Sequence, residues 1–130
     1  MYTAAQNRDI ACGNASRCGV AAITDSDWPL MMLTSEALDR ISRARERMQS
    51  GAYEAKSRLL HSAEQIIAQL RSSLDLLAED EMAVNLDDMY EYVSRRLVRA
   101  DLANEVEPLD EVTHLLRAIR STWMTLYPHV

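Results

Sequence analysis

The sequence contains few of the residues that interrupt helices or end strands. Only three glycines and three prolines occur in 130 residues, and phenylalanine is absent. An all-β chain needs many turns rich in glycine or proline, whereas a disordered chain has few apolar residues. Here 48% of the residues are hydrophobic and 26% are charged. The composition favours a helical globular protein, and a chain of this length can bury a core as one domain.

Cysteine is scarce as well. Cys12 and Cys18 lie in a polar N-terminal segment, and no further cysteine follows them. Two cysteines do not complete a zinc site, and one disulfide would not indicate an oxidising compartment, so we expect free thiols. No stretch has the apolar run of a signal peptide or the roughly 18 uncharged apolar residues of a membrane span. We therefore expect a cytoplasmic protein without membrane insertion.

Positive charge is in short supply, since the formal net charge is −6. The most basic stretch has four arginines, interrupted by two acids and spread around a helix: Arg40, Arg43, Arg45 and Arg47, with Asp39 and Glu46. Such a stretch is typical of a solvated face with internal ion pairs. Because nucleic acid binding needs a strong local basic face, we expect no nucleic acid partner.

The stretch 85–104 shows the clearest helical pattern in the chain. At 100° per residue, one apolar stripe falls within about 100°: Met82, Leu86, Met89, Tyr90, Val93, Leu97 and Ala100. A second, smaller set falls on the opposite side of the same helix: Val84, Val98 and Leu102. A helix with two apolar faces is either enclosed on both sides or uses one face to bind a partner.

Three further helices are predicted by the same periodicity. Ser26 or Asp27 caps helix one, with Pro29 in its first turn, and Ser50 and Gly51 end it. Helix two covers about 52–77, with the stripe Ala55, Leu59, Ala63, Ile66, Leu70, Leu74 and Leu77, widened by Leu60 and Ile67. Helix three runs from the cap Asp80 to Asn104, and helix four begins at Pro108, with the stripe Leu109, Val112, Leu116, Ile119, Trp123 and Leu126.

Short connections join these four helices, which favours antiparallel neighbours because a parallel pair needs a long crossover. We predict an all-α fold, an up-down-up-down four-helix bundle over residues 26–130. Residues 1–25 are rich in small polar residues, and their apolar residues share no period. This segment is predicted to be a flexible N-terminal arm.

Catalytic and metal-binding patterns are weak. Glu111 and His114 have the E-x-x-H spacing of a di-metal bundle site, but such a site needs two of these motifs and further glutamates. His61 could receive a phosphoryl group, yet the acid Glu64 follows it where a lysine would be expected. We found no glycine-rich phosphate loop and no catalytic triad pattern. The expectation is a protein that is not an enzyme and has no cofactor or metal.

Several motifs in the second half of the chain resemble one family. The stretch 85–102 reads N-L-x-x-M-Y-x-Y-x-x-R-R-L-x-x-A-x-L, and S-S-L-D precedes it at 72–75. M-Y-T stands at 1–3, M-Q-x-G followed by A-K at 48–56, and the final helix contains Trp123. Together these motifs resemble the flagellar export chaperone family FliS, most specifically over 48–123.

The resemblance implies a function and two partners. Family members hold the C-terminal segment of flagellin in the cytoplasm, and this prevents premature polymerisation and aids export. The second implied partner is the gate of the flagellar type III export apparatus. In this family the N-terminal segment is understood to cover part of the flagellin-binding surface. The sequence is compatible with a homodimer as well as with a monomer.

Six residues form the predicted partner-binding set: Met31, Met32, Val84, Tyr92, Val98 and Leu102. The set includes Val84, Val98 and Leu102 because they lie opposite the main stripe of helix three. Tyr92 points outward and lies within the run that resembles the family most closely, whereas Tyr90 is predicted to be in the core. Met31 and Met32 lie beside the stripe of helix one, where methionine suits either a binding surface or a gap in the core.

The first helix departs from the family pattern. Members tend to have S-P where the helix begins and L-Y-D within it, whereas here proline is displaced to Pro29 and the chain reads Leu33-Thr34-Ser35. An alternative interpretation is therefore a paralogous bundle with the FliS scaffold. Such a protein would act as a non-enzymatic regulatory protein that no longer binds flagellin.

Overall fold

The computed structural model describes the backbone of residues 23–74 and 81–126, and the side chains of 30–74 and 81–122. It contains four α-helices: α1 (Ile23–Gln49), α2 (Tyr53–Leu74), α3 (Glu81–Ala103) and α4 (Glu107–Leu126). No strand occurs in these ranges. Residues Met31–Leu126 form one compact unit, to which the packing described below belongs. The prediction of an all-α four-helix protein is confirmed.

Contacts between helices show that neighbours are antiparallel. Along α2 and α3, Lys56 pairs with Asp101 and Arg71 with Asp87, so residue numbers rise on one helix and fall on the other. Helix α3 packs against both α2 and α4.

The first and last helices are antiparallel too. Arg45 of α1 pairs with Asp110 of α4, and Ser35 of α1 accepts a hydrogen bond from Arg120 of α4. The four helices therefore run in the directions of the predicted up-down-up-down bundle.

Two left-handed residues end α1 and α3. Gly51 has φ 81°, and the Ala52 N–H donates to the carbonyl of Arg47 at 2.8 Å. Asn104 has φ 54°, and the Glu105 N–H donates to the carbonyl of Ala100 at 3.2 Å. A bond that spans five residues after a left-handed residue is the Schellman ending, which glycine adopts most easily and asparagine tolerates. Both predicted helix ends are confirmed.

The start of α1 differs from the prediction. The helix begins at Ile23, so that Ser26 and Asp27 lie within its first two turns and do not cap it. Pro29 is then the seventh helical residue. At that position proline removes one intrahelical hydrogen bond and its ring crowds the carbonyl four residues earlier, a cost that falls near the end of a long helix.

Some predicted features lie outside the described residues. These are the arm as far as residue 22, the end of helix two at Leu77 and the cap Asp80. They stay predictions. Residues 23–25, which were assigned to the arm, form the first residues of α1.

The core is built from the predicted stripes, with two shifts. Its fully buried large side chains come from all four helices: Ile41, Leu60, Ile67, Leu70, Tyr90, Val93, Leu97, Leu109, Val112, Leu116 and Ile119. On α2, Leu60 and Ile67, which the sequence placed beside the main stripe, are fully buried, whereas the stripe residue Leu59 is half-buried. On α3, the predicted stripe residue Met82 is 38% exposed and its neighbour Ala83 is buried.

Candidate partner-binding surfaces

Helix α3 exposes three apolar residues on the side opposite the core. Val84, Val98 and Leu102 are 49%, 42% and 80% exposed. Val84 and Leu102 point in the same direction because 18 residues make five full turns, and Val98 lies one turn before Leu102. Over about 1.5 Å per residue this outer face of α3, defined by these three residues, is about 27 Å long. The structure therefore places all three outside the core, as predicted.

Polar pairs with α2 border the outer face on one side. The Lys56 side chain is 3% exposed, and its Nζ donates to Asp101 Oδ1 at 2.6 Å and to the Asp101 carbonyl at 2.8 Å. Ser57 Oγ donates to the same Oδ1 at 2.7 Å. These bonds fix the last turn of α3, from which Leu102 projects. At the other end of the seam, Arg71 donates two hydrogen bonds to the Asp87 carboxylate.

Contacts with α4 border the face on the opposite side. The Tyr92 hydroxyl donates to Glu111 Oε2 at 2.6 Å, and Arg96 Nε donates to Glu111 Oε1 at 2.8 Å. The Arg95 guanidinium lies 5.7 Å from the centre of the Tyr92 ring. Tyr92 is half-buried, and its hydrogen bond to Glu111 links α3 to α4. A direct contact of Tyr92 with a partner stays a prediction.

The two candidate methionines differ in exposure. Met31 is 7% exposed and belongs to the core, whereas Met32 is 52% exposed. Of the two interpretations of Met31, the structure favours the gap in the core, and Met31 is not part of an exposed surface. Tyr53, at the start of α2, is 50% exposed, and the sequence analysis did not identify it as an exposed apolar residue. Tyr53 is the first residue of α2 and follows the Gly51 turn, so no preceding helical turn covers its side chain. This position could have indicated that the side chain is exposed.

A groove of about 370 Å³ lies between α1 and α4. It is lined by Leu38, Ser42 and Arg45 from α1 and by Asp110, Thr113, His114 and Arg117 from α4. The sequence analysis did not identify this groove, because residues from opposite ends of the chain form it.

The described residues form neither a metal-binding cluster nor a membrane-spanning helix. Glu111 of the E-x-x-H motif is occupied by Tyr92 and Arg96, while His114 lines the α1–α4 groove. Within the described ranges, no group of three or more His, Cys, Asp or Glu residues could hold a metal ion. None of the described helices is long and apolar enough to cross a membrane.

Four carboxylates at helix contacts have lowered pKa values. Hydrogen bonds from Arg71 and Arg45 lower the pKa of Asp87 and Asp110. Partial burial acts to raise the pKa of Asp101, but the hydrogen bonds from Lys56 and Ser57 outweigh it and lower the value. The hydrogen bond from Tyr92, helped by Arg96, lowers the pKa of Glu111. In contrast, partial burial raises the pKa of Glu64, which lies near His61 and Asp101.

These shifts predict that acid weakens the bundle. A carboxyl group whose folded pKa is depressed stabilises the fold above its unfolded pKa, and this stability is lost as pH falls through the folded pKa. Four depressed groups oppose one raised group, so the thermal midpoint should fall progressively below about pH 4. Thermal unfolding followed by circular dichroism between pH 7 and pH 2 measures this.

The Asp101→Asn variant is the control for the acid effect. It lacks one of the four groups and should lose less stability between pH 5 and pH 2 than the unmodified protein. A thermal midpoint that rises as the pH falls would contradict the assignment of these pairs.

Comparisons with known proteins give the family. The profile of the family described as "Flagellar protein FliS" matches residues 23–130. The flagellar secretion chaperone FliSB of Pseudomonas aeruginosa is 38% identical over 94 residues, which cover 72% of this chain and 75% of the relative. The flagellar secretion chaperones FliS of Salmonella typhimurium and Vibrio cholerae are 36% and 31% identical over 98 and 99 residues. Those two alignments cover 75% and 76% of this chain, respectively, and 73% of each relative.

The match extends over all four helices, and the motifs at 85–102 lie on the helix that carries the exposed apolar face. The chain therefore belongs to the FliS family of flagellar secretion chaperones.

Proposed function

We propose that the protein binds the C-terminal segment of flagellin in the cytoplasm, prevents its premature polymerisation and aids its export. The observation that carries this proposal is the outer face of α3. Val84, Val98 and Leu102 are exposed apolar residues on a helix whose opposite side is fully buried. An amphipathic segment laid along such a face would place its apolar side chains against these residues.

The length and borders of the face suit a chain segment. About 27 Å corresponds to roughly 18 helical residues or 8 extended residues. The bordering polar side chains are already paired with one another, as in Arg71 with Asp87 and Arg96 with Glu111. Glu91 and Arg95 lie on the same side of α3 between Val84 and Val98. A partner would therefore cover apolar surface at both ends of the face and charged side chains between them, and would leave the bordering ion pairs in place.

Release is as important as binding for an export chaperone. Ordering a disordered segment costs on the order of 2–5 kcal/mol of the gross interaction energy. Binding of this kind masks an aggregation-prone segment and still permits its removal. The second proposed partner is the gate of the type III export apparatus. The proposed role requires binding only and no catalysis, and it is compatible with either a monomer or a homodimer.

The alternative is a paralogous regulatory bundle that no longer binds flagellin. The reason for this alternative is that α1 reads Leu33-Thr34-Ser35 where family members tend to have L-Y-D. In the structure Thr34 is fully buried and Ser35 accepts a hydrogen bond from Arg120 Nη1 at 3.1 Å. These residues act in packing α1 against the bundle and are not part of the outer face of α3. The departure therefore gives no direct reason to abandon flagellin binding.

A pull-down separates the two functions. The tagged full chain is incubated with lysate of a flagellated cell of the same species, and bound proteins are identified by mass spectrometry. Flagellin in the eluate is the expected result. Its absence, when the bait is shown to be helical by circular dichroism, would favour the regulatory alternative.

A further inference from the structure

The α1–α4 groove differs in charge from the protein as a whole. The chain has a formal net charge of −6, yet the groove is lined by two arginines, one histidine and one aspartate. The aspartate, Asp110, is occupied by Arg45, whose Nε and Nη2 donate to its two carboxylate oxygens at 2.8 and 3.3 Å. Because Arg45 neutralises Asp110 and histidine is counted as neutral, Arg117 gives the groove one net positive charge on an acidic protein.

Arg117 is the groove cation that no described residue neutralises. Among the described residues it makes no ion pair and no hydrogen bond from its side chain, and it is exposed. Arg120, one turn further along α4, is occupied by Ser35. The guanidinium donors of Arg117 are therefore available to a carboxylate, which they can bind in a bidentate geometry.

The dimensions fit a short peptide. On α1 the groove lining runs from Leu38 to Arg45, a rise of about 10 Å along the helix. A volume of about 370 Å³ equals the share of roughly a dozen water molecules. This gives room for two or three side chains, and the half-buried Leu38 supplies an apolar contact for one of them.

We propose that this groove binds an acidic peptide segment of a partner protein, with a carboxylate on Arg117 and an apolar side chain against Leu38. The groove lies between α1 and α4, whereas the outer face of α3 lies between the contacts of that helix with α2 and α4. The site is therefore separate from the proposed flagellin-binding surface, and its existence does not depend on that function.

The probe is a short blocked peptide of alternating glutamate and leucine, titrated into the ¹⁵N-labelled full chain and followed by NMR. We expect shifts that concentrate on amides of Leu38, Ser42, Thr113 and Arg117. The Arg117→Gln variant should bind about fivefold more weakly, the effect of losing one partly exposed charge pair. Arg58→Gln is the matched control, since Arg58 is also exposed and makes no ion pair among the described residues, and it should bind as the unmodified protein does.

Two further arms keep the test decisive. A peptide with glutamine in place of glutamate should bind several-fold more weakly. Ser42→Asp, which brings a like charge to the exposed rim of the groove, should weaken binding even if the arginine variant is poorly folded. Shifts on other faces, equal binding of the glutamine peptide, or equal losses in Arg58→Gln and Arg117→Gln would overturn the proposal.

Discussion

Replacing Leu116 by alanine is expected to lower the free energy of unfolding by about 2–5 kcal/mol. Leu116 is 0% exposed and lies on α4, which packs against α3. Truncation removes its buried methyl groups from apolar surroundings and leaves a cavity that four packed helices can close only in part. A loss of this size is a large fraction of the total stability of a small domain.

Urea unfolding followed by circular dichroism measures this change. The matched control is Leu102→Ala, the same substitution at a side chain that is 80% exposed, for which the change should be under about 0.5 kcal/mol. A loss below 1 kcal/mol in Leu116→Ala would mean that the core has been assigned wrongly.

The double variant Val98→Asp with Leu102→Asp should weaken flagellin binding by at least about thirtyfold, which corresponds to the loss of a binding hot spot of about 2 kcal/mol. Each aspartate would put a charge against an apolar segment that cannot solvate it. Because both side chains are exposed, the fold should be affected little. Calorimetric titration with the flagellin C-terminal segment measures the affinity.

A control for added charge is available on α2. Gln65 and Gln69 are exposed, and their replacement by aspartate adds the same two charges away from the outer face of α3. This variant should retain its affinity for flagellin. A thermal midpoint lowered by ten degrees or more in the α3 variant would show that the patch is buried in the fold, and unchanged binding would remove it from the site.

The helices and their ends could be predicted because the information is local. Periodicity along α4 identified all of its buried residues from Leu109 to Ile119, and Gly51 and Asn104 marked helix ends through their tolerance of positive φ. The start of α1 was predicted wrongly, because proline favours the first turn of a helix and this preference placed the start near Pro29, whereas the helix begins at Ile23.

The exposure of the candidate residues was predictable only in part, since exposure depends on neighbours from other helices. Val98 and Leu102 were identified because they lie opposite a strong stripe. Met31 lies at the edge of a stripe, where packing against another helix decides burial, and it is in the core. The bonds of Tyr92 and Lys56 involve partners 19 and 45 residues away, and no spacing rule within one helix shows them.

Site-specific photo-crosslinking tests the central claim most directly, namely that the outer face of α3 contacts the C-terminal segment of flagellin. A benzoyl-phenylalanine residue replaces Val98, and a second preparation has it in place of the exposed Gln69 on α2. After irradiation with flagellin, the account predicts a crosslinked product from position 98 whose peptides map to the C-terminal segment, and little or none from position 69. Equal crosslinking from both positions, or flagellin that co-purifies with the chain but is not crosslinked from position 98, would contradict it.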